Sequence, residues 1–285
     1  MKSGDLQFNN TAHLKFSHNS EGVIAKYKNK KFILGYLSIL KERTDLTDEE
    51  YISYAQSVLN YHCSVRGVPF HKIGKLEPIS SKPIINNYTP FYKYTSNAIF
   101  DQYIKKGIWQ LGTIQQYRTI ENIKQRDEFE GHSFLNLNIN NHIVSTICSS
   151  GFNYLIFCGT RKANSDIHKQ QFGEKEIYFP NIKSFAESVR KTINAKRYFI
   201  QNVEYNTLKL YINKTPIANP EIDINNILTP AYFDVINEHL IYPGLFVKPE
   251  SFKDENEVRI VFEMPQDYYK PNRFENKDLL NYIKY

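Results

Sequence analysis

Three side chains near the end of the chain could do chemistry together. They are Glu255, Glu257 and Arg259, within FKDENEVRIVFEM, residues 252–264. On a β-strand, alternate residues share a face. Asn256, Val258, Ile260 and Phe262 then point one way, and Glu255, Glu257, Arg259, Val261 and Glu263 the other. Same-face neighbours sit about 7 Å apart, so the two carboxylates and the guanidinium form a row of alternating charge. Two readings are open. The row is a solvated face of weak ion pairs, or it is a rigid pair of carboxylates, one held by Arg259. Such a pair could stabilise positive charge developing on a sugar.

A second charged stretch, RTIENIKQRDEFEG at 118–131, follows the strand-like GIWQLGTIQQY. Arg118 would lie at the end of that strand. The segment after it would cross the site as a loop or short helix, closed by Asp127 and Glu130, with Gly131 allowing the turn. The competing reading is local: Asp127 and Glu130 pair with Arg118 and Arg126 to brace a surface loop. A third cluster, KYKNKKF at 26–32, sets Lys26, Lys28, Lys30 and Lys31 among Tyr27 and Phe32. Cations interleaved with aromatics can bind single-stranded nucleic acid, and they also suit a solvated hairpin tip. FCGTRK at 157–162 places Thr160 and Arg161 at the end of an apolar strand, where they line a cleft or mark a strand-to-loop transition. His168 and His239 stand alone, with no Ser-His-Asp spacing around them.

The elements that must position these groups can be read in outline. Residues 13–40 suggest an antiparallel meander with turns at SHNSE and at Lys28–Lys31. Thr47 and Glu50 make a capping box for a helix ended by Gly67 and Pro69. KLEPISSKPIINNYTP, 75–90, is the best linker candidate. FYKYT and IWQLGTI are expected strands, with a Ser96-capped helix between them that stops at Gly107. VSTICSS and NYLIFCGT are two more strands. Asn181 caps a helix with Ile182, Phe185, Ala186, Val189 and Ile193 on one face. RYFIQNVEY and TLKLYIN read as strands, Thr229–Pro230 as a helix start, and EVRIVFEM as the last long strand.

Composition narrows the classes. The chain has 285 residues, which suits one large domain or two small ones. Its 21 tyrosines and 19 phenylalanines suit half-buried strands. The net charge of +6 favours phosphate-bearing partners or simple solubility. Cys63, Cys148 and Cys158 make no disulfide framework and no metal-ligand spacing. The first residues lack an apolar stretch and no run is long enough for a membrane span, so a cytoplasmic protein without a membrane partner is expected. No GxGxxG or P-loop pattern is present. The irregular order of elements points to an α+β fold of split mixed or antiparallel sheets with flanking helices.

Six segments occur in the order YKYTS (92–96), WQLGTIQQYR (109–118), RDEFEG (126–131), YLIFCGT (154–160), FGEKEIYF (172–179) and FKDENEVRIVFE (252–263). Together they resemble a widespread bacterial family of the "KYRS…NDPfE…EwR" type over about 88–265. The layout is similar, more loosely, to mono-ADP-ribosyltransferases. That resemblance implies a transferase-like core at 86–285 and an N-terminal meander-plus-helix region at 1–85. It implies NAD as a substrate, Glu257 as the catalytic glutamate and Glu255 as the earlier acid of the E-x-E pair. The usual early Arg or His is replaced among Lys93, Tyr94 and Thr95, and the middle Ser/Thr position by Thr113 or Tyr117, with Arg118 and Arg259 as further cofactor-binding candidates. It also implies a toxin or phage-defence role, an RNA, DNA or protein acceptor, and an antitoxin or chaperone partner. Two alternatives stand beside it: a basic nucleic-acid-binding module without catalysis, and a glycohydrolase of NAD or a nucleoside.

Overall fold

In the computed structural model, residues 14–19, 22–28, 30–40, 46–66, 90–120, 130–206 and 210–285 are described. Most of the proposed linker 75–90 lies outside these, as do Arg126, Asp127 and Glu128. The architecture is α+β. It divides into two units: 1–81, 131–150 and 206–244 in the first, and 82–130, 151–205 and 245–285 in the second. The division is therefore discontinuous along the chain, where the sequence suggests one cut near residue 85.

The first unit is built on a six-stranded sheet. The expected meander forms β1 (Leu14–Asn19), β2 (Gly22–Tyr27) and β3 (Lys30–Leu40), paired antiparallel. The helix α1 (Asp48–Arg66) follows. Its capping box forms as expected: Glu50 N–H donates to Thr47 Oγ1 at 3.3 Å, and Thr47 N–H donates to the Glu50 carboxylate at 2.9 Å. Two strands come from a later hairpin, β6 (His132–Ile139) and β7 (His142–Ser149), and β12 (Leu210–Ile217) closes the order β1-β2-β3-β7-β6-β12. Only the β12–β6 pairing is parallel in this sheet. The helix α6 (Pro230–Phe246) starts at Pro230 as expected, and Phe233 on it meets the rings of Phe16, Tyr27 and Phe32 at 5.4–6.1 Å.

The second unit carries a seven-stranded sheet. It contains β4 (Tyr92–Thr95), β5 (Ile108–Thr113), β8 (Tyr154–Thr160), β9 (Lys175–Tyr178), β10 (Arg197–Asn202), β14 (Glu257–Glu263) and β15 (Asn272–Glu275). The main path runs β10-β14-β8-β4-β9, with β5 pairing β8 and β15. Between these strands lie α2 (Asn97–Gln102), α3 (Ile114–Thr119), α4 (Asp166–Phe172) and α5 (Ile182–Thr192). A two-stranded ribbon joins β11 (Glu204–Asn206) to β13 (Val247–Pro249).

Local chemistry explains these boundaries. Ser96 caps α2 and Asn181 caps α5, each accepting from a backbone N–H three residues on. Gly107 takes the left-handed conformation, φ 80°, after the short 3₁₀ turn Ile104–Lys106 that follows α2. Ile182, Phe185, Ala186 and Val189 of α5 are buried against Trp109, Phe157 and Phe179. Rings in this core are 4.8–6.5 Å apart. Val258, Ile260 and Phe262 of β14 join the same core, so one face of this strand is apolar packing, as its alternation suggests. Gly159 on β8 permits a close approach: a Cβ there would lie 2.4 Å from the Phe91 ring and 2.6 Å from Tyr92 O. Among the described residues no helix is long and apolar enough to cross a membrane.

Candidate functional site

The second unit contains a cavity of about 210 Å³ where the polar face of β14 looks toward β4, β8, α3 and α4. Its charged floor is a chain of buried ion pairs. Arg259 reaches Glu130 through both terminal nitrogens, at 2.7 and 2.9 Å, and gives its Nε to Glu257 at 2.8 Å. Lys248, on β13, bridges Glu257 at 3.1 Å and Glu255 at 2.7 Å. Side chains of Arg259 and Glu130 are each 1% exposed, and those of Glu257, Lys248 and Glu255 are 6%, 7% and 11%. The Arg259 guanidinium also donates to Leu245 O, while Arg118 Nε donates to the carbonyl of Glu130.

Three carboxylates thus face two cations, Lys248 and Arg259. The imbalance falls on Glu255. Burial pushes its pKa up, the Lys248 charge acts against this, and proximity to Glu257 raises it further, for a net upward shift. Burial also acts against ionised Glu257, but the charges of Arg259 and Lys248 outweigh it and hold that carboxyl well below the usual range. The two neighbouring acids are thus displaced in opposite directions, the pattern that separates electrostatic and acid–base roles in carboxylate sites.

The rest of the lining is largely aromatic and basic. Tyr92, Tyr94, Tyr117 and Phe172 form part of it. Lys93 donates to Cys158 O at 3.0 Å and lies 4.6 Å from the Phe157 ring centroid, and desolvation lowers its pKa. Tyr117 OH sits 3.3 Å from Cys158 Sγ, and burial pushes the Cys158 thiol up to about 12.

Of the nine catalytic and cofactor-binding candidates, six come together here: Lys93, Tyr94, Tyr117, Glu255, Glu257 and Arg259. Three do not line the cavity. Thr95 is buried on β4. Thr113 ends β5 and caps α3, accepting from Gln116 N–H at 3.2 Å. That cap corrects the expected strand IWQLGTI, which stops one residue early, so Arg118 lies in the last turn of α3 and not at a strand end. There Arg118 packs on the Phe152 ring and braces Glu130 through its backbone. The Glu130 carboxylate pairs with Arg259, and its backbone carbonyl accepts from Arg118.

Glu255 needs a second correction. It ends the 3₁₀ turn Glu250–Glu255, and Asn256, left-handed at φ 42°, turns the chain into β14. It reaches Lys248 from that turn and not from the strand face. Thr160 lines the cavity, whereas Arg161 is exposed and outside the lining. In the first unit, Lys28 pairs with Asp234 at 2.8 Å and Lys30 donates to Asn237 at 3.1 Å, both partners on α6. Lys26 and Lys31 face each other across β2 and β3.

The chain has no match among protein-family models, curated proteins or solved structures.

Sequence reasoning passed over Lys248, although it organises both catalytic candidates. It sits in GLFVKPES among apolar neighbours, and an isolated lysine on a short strand gives no periodic signal.

Proposed function

We propose that this cavity cleaves the N-glycosidic bond of NAD and transfers the ADP-ribosyl group, an ADP-ribosyltransferase activity on an ADP-ribosyltransferase-like core. The observation that carries the reading is the Glu255–Lys248–Glu257 bridge, which places two carboxylates of opposite pKa displacement in one concave site. The cavity volume of about 210 Å³ falls below the ~300–1,000 Å³ of drug-sized ligand sites. It suits the nicotinamide–ribose end of the dinucleotide, with the adenylate end outside.

As nicotinamide leaves, the ribose becomes cationic at its anomeric carbon. With Glu255 ionised, the five-member ion cluster carries one net negative charge, which favours that cation. A carboxylate has about four lone-pair sites, so Glu257 retains acceptor capacity for a ribose hydroxyl beside its bonds to Arg259 and Lys248. Glu255 takes the proton of the incoming acceptor. The tyrosine rings offer flat apolar walls for the leaving base. Unchecked transfer of this kind would drain NAD or alter essential acceptors. A toxin or phage-defence role with an antitoxin partner therefore belongs to the same proposal.

The test is incubation with adenylate-labelled NAD and separate pools of RNA, DNA and protein. Label in one pool names the acceptor class. Nicotinamide release without transfer makes water the acceptor, and no release at all excludes the reading. A pH profile checks the base. With Glu255 raised above the ordinary glutamate value of about 4.3, kcat/KM should climb with pH through an inflection above that value. Glu255→Gln should remove the inflection along with most of the rate.

A further inference from the structure

Beside the cavity stands a serine–histidine pair that the sequence spacing does not reveal. His168 lines the cavity on α4, with its ring between Tyr94 and Phe172 at 5.3 and 5.9 Å. Its Nε2 lies 2.8 Å from Glu255 O. A carbonyl oxygen only accepts, so Nε2 carries the ring proton and Nδ1 is left as an acceptor. Ser165 Oγ lies 2.7 Å from Nδ1, so its hydroxyl donates there. The contact is a nucleophile–base pair with the base oriented by a third group, and that group is the backbone of a cavity carboxylate.

The serine remains chemically available. A hydroxyl has one proton and two lone pairs. The proton points to Nδ1, and one lone pair accepts the weak capping bond from His168 N–H at 3.5 Å. One lone pair is left over, on a residue that is half-buried and not sealed in the core. Burial lowers the His168 pKa, so the imidazole is the neutral, proton-accepting form at neutral pH.

We propose that Ser165 is the acceptor of a self-modification, in which the ADP-ribosyl group freed in the cavity is captured by Ser165 Oγ while His168 takes its proton. This rests on the reading of the cavity as one that cleaves NAD. The step balances: the bond from the ribose anomeric carbon to nicotinamide nitrogen breaks, with its electron pair leaving on neutral nicotinamide. The bond from that carbon to Ser165 Oγ forms, and the hydroxyl proton moves to His168 Nδ1. The positively charged imidazole then returns the proton to solvent. The imidazole links Ser165 Oγ on one nitrogen to the backbone of Glu255 on the other, which ties the acceptor oxygen to the segment that carries a cavity acid.

The experiment follows the full-length protein with NAD, reading released nicotinamide by chromatography and the chain by intact mass and peptide mapping. The expected result is one ADP-ribose per chain on the peptide containing Ser165, stable to neutral hydroxylamine as a serine O-glycoside is. Ser165→Asn keeps a capping side chain but has no hydroxyl, and should cut the adduct at least tenfold. Ser165→Thr keeps both cap and hydroxyl and should retain it. Nicotinamide release with no adduct, or with the adduct elsewhere, overturns the self-modification and leaves the reading of the cavity intact. Neither release nor adduct overturns both.

Discussion

Replacing Glu257 with glutamine is expected to lower nicotinamide release at least about a hundredfold, the scale found when one preorganised electrostatic group is removed from an active site. The swap keeps the shape and the hydrogen-bond acceptor facing Arg259. It removes the charge that Arg259 and Lys248 hold ionised, so the cluster no longer presents net negative charge to the anomeric carbon. The loss should appear in kcat, since the charge develops only in the transition state. Binding of NAD, followed separately, should change far less. A variant that kept wild-type turnover would remove Glu257 from the reaction.

Arg259→Met should give the largest loss of stability, about 3–5 kcal/mol, the usual cost of removing one partner from a buried ion pair. Arg259 holds Glu130, which is 1% exposed, and shares Glu257 with Lys248. Without it, three carboxylates are left with one lysine on β13. Adding Glu130→Gln should recover part of the loss, because it deletes one of the stranded charges. Trp109 is the only tryptophan of the chain and lies 2% exposed in the core of the second unit. Its fluorescence during urea unfolding therefore reports the unit that holds the cluster. Equal stability of Arg259→Met and wild type would show that the ion chain does not hold the strands.

Much of the secondary structure was legible because its signals are local. The caps at Thr47, Ser96 and Asn181 and the start at Pro230 need only a few neighbouring residues to act. The period-two pattern of β14 holds from Glu257 onward because one face packs in the core while Glu257 and Arg259 face the cavity. It fails at Glu255 because Asn256 adopts a left-handed turn, and the strand propensity around it carries no trace of that. The end of β5 was readable: Thr113 and Gln116 repeat the capping-box spacing of Thr47 and Glu50. β6 also had a signal that was passed over, since Asn140 and Asn141 both take positive φ, the preference of a tight hairpin turn.

The site itself was only half legible. Its two acids lie within three residues, but Glu130 and Arg259 are 129 positions apart. No spacing rule links groups that only a sheet brings together. The same holds for Lys248 and for the contact of His168 with the backbone of Glu255, 87 positions away. Ser165 and His168 are neighbours by sequence, yet only that distant carbonyl fixes which ring nitrogen faces the serine.

The most direct measurement is nicotinamide release from NAD by the purified full-length protein at neutral pH, beside its Glu257→Gln variant. Steady release by the wild type, falling at least about a hundredfold in the variant, is the expected result. No release from either protein, or equal release from both, would contradict a sugar-cleaving role for the Glu255–Lys248–Glu257 bridge.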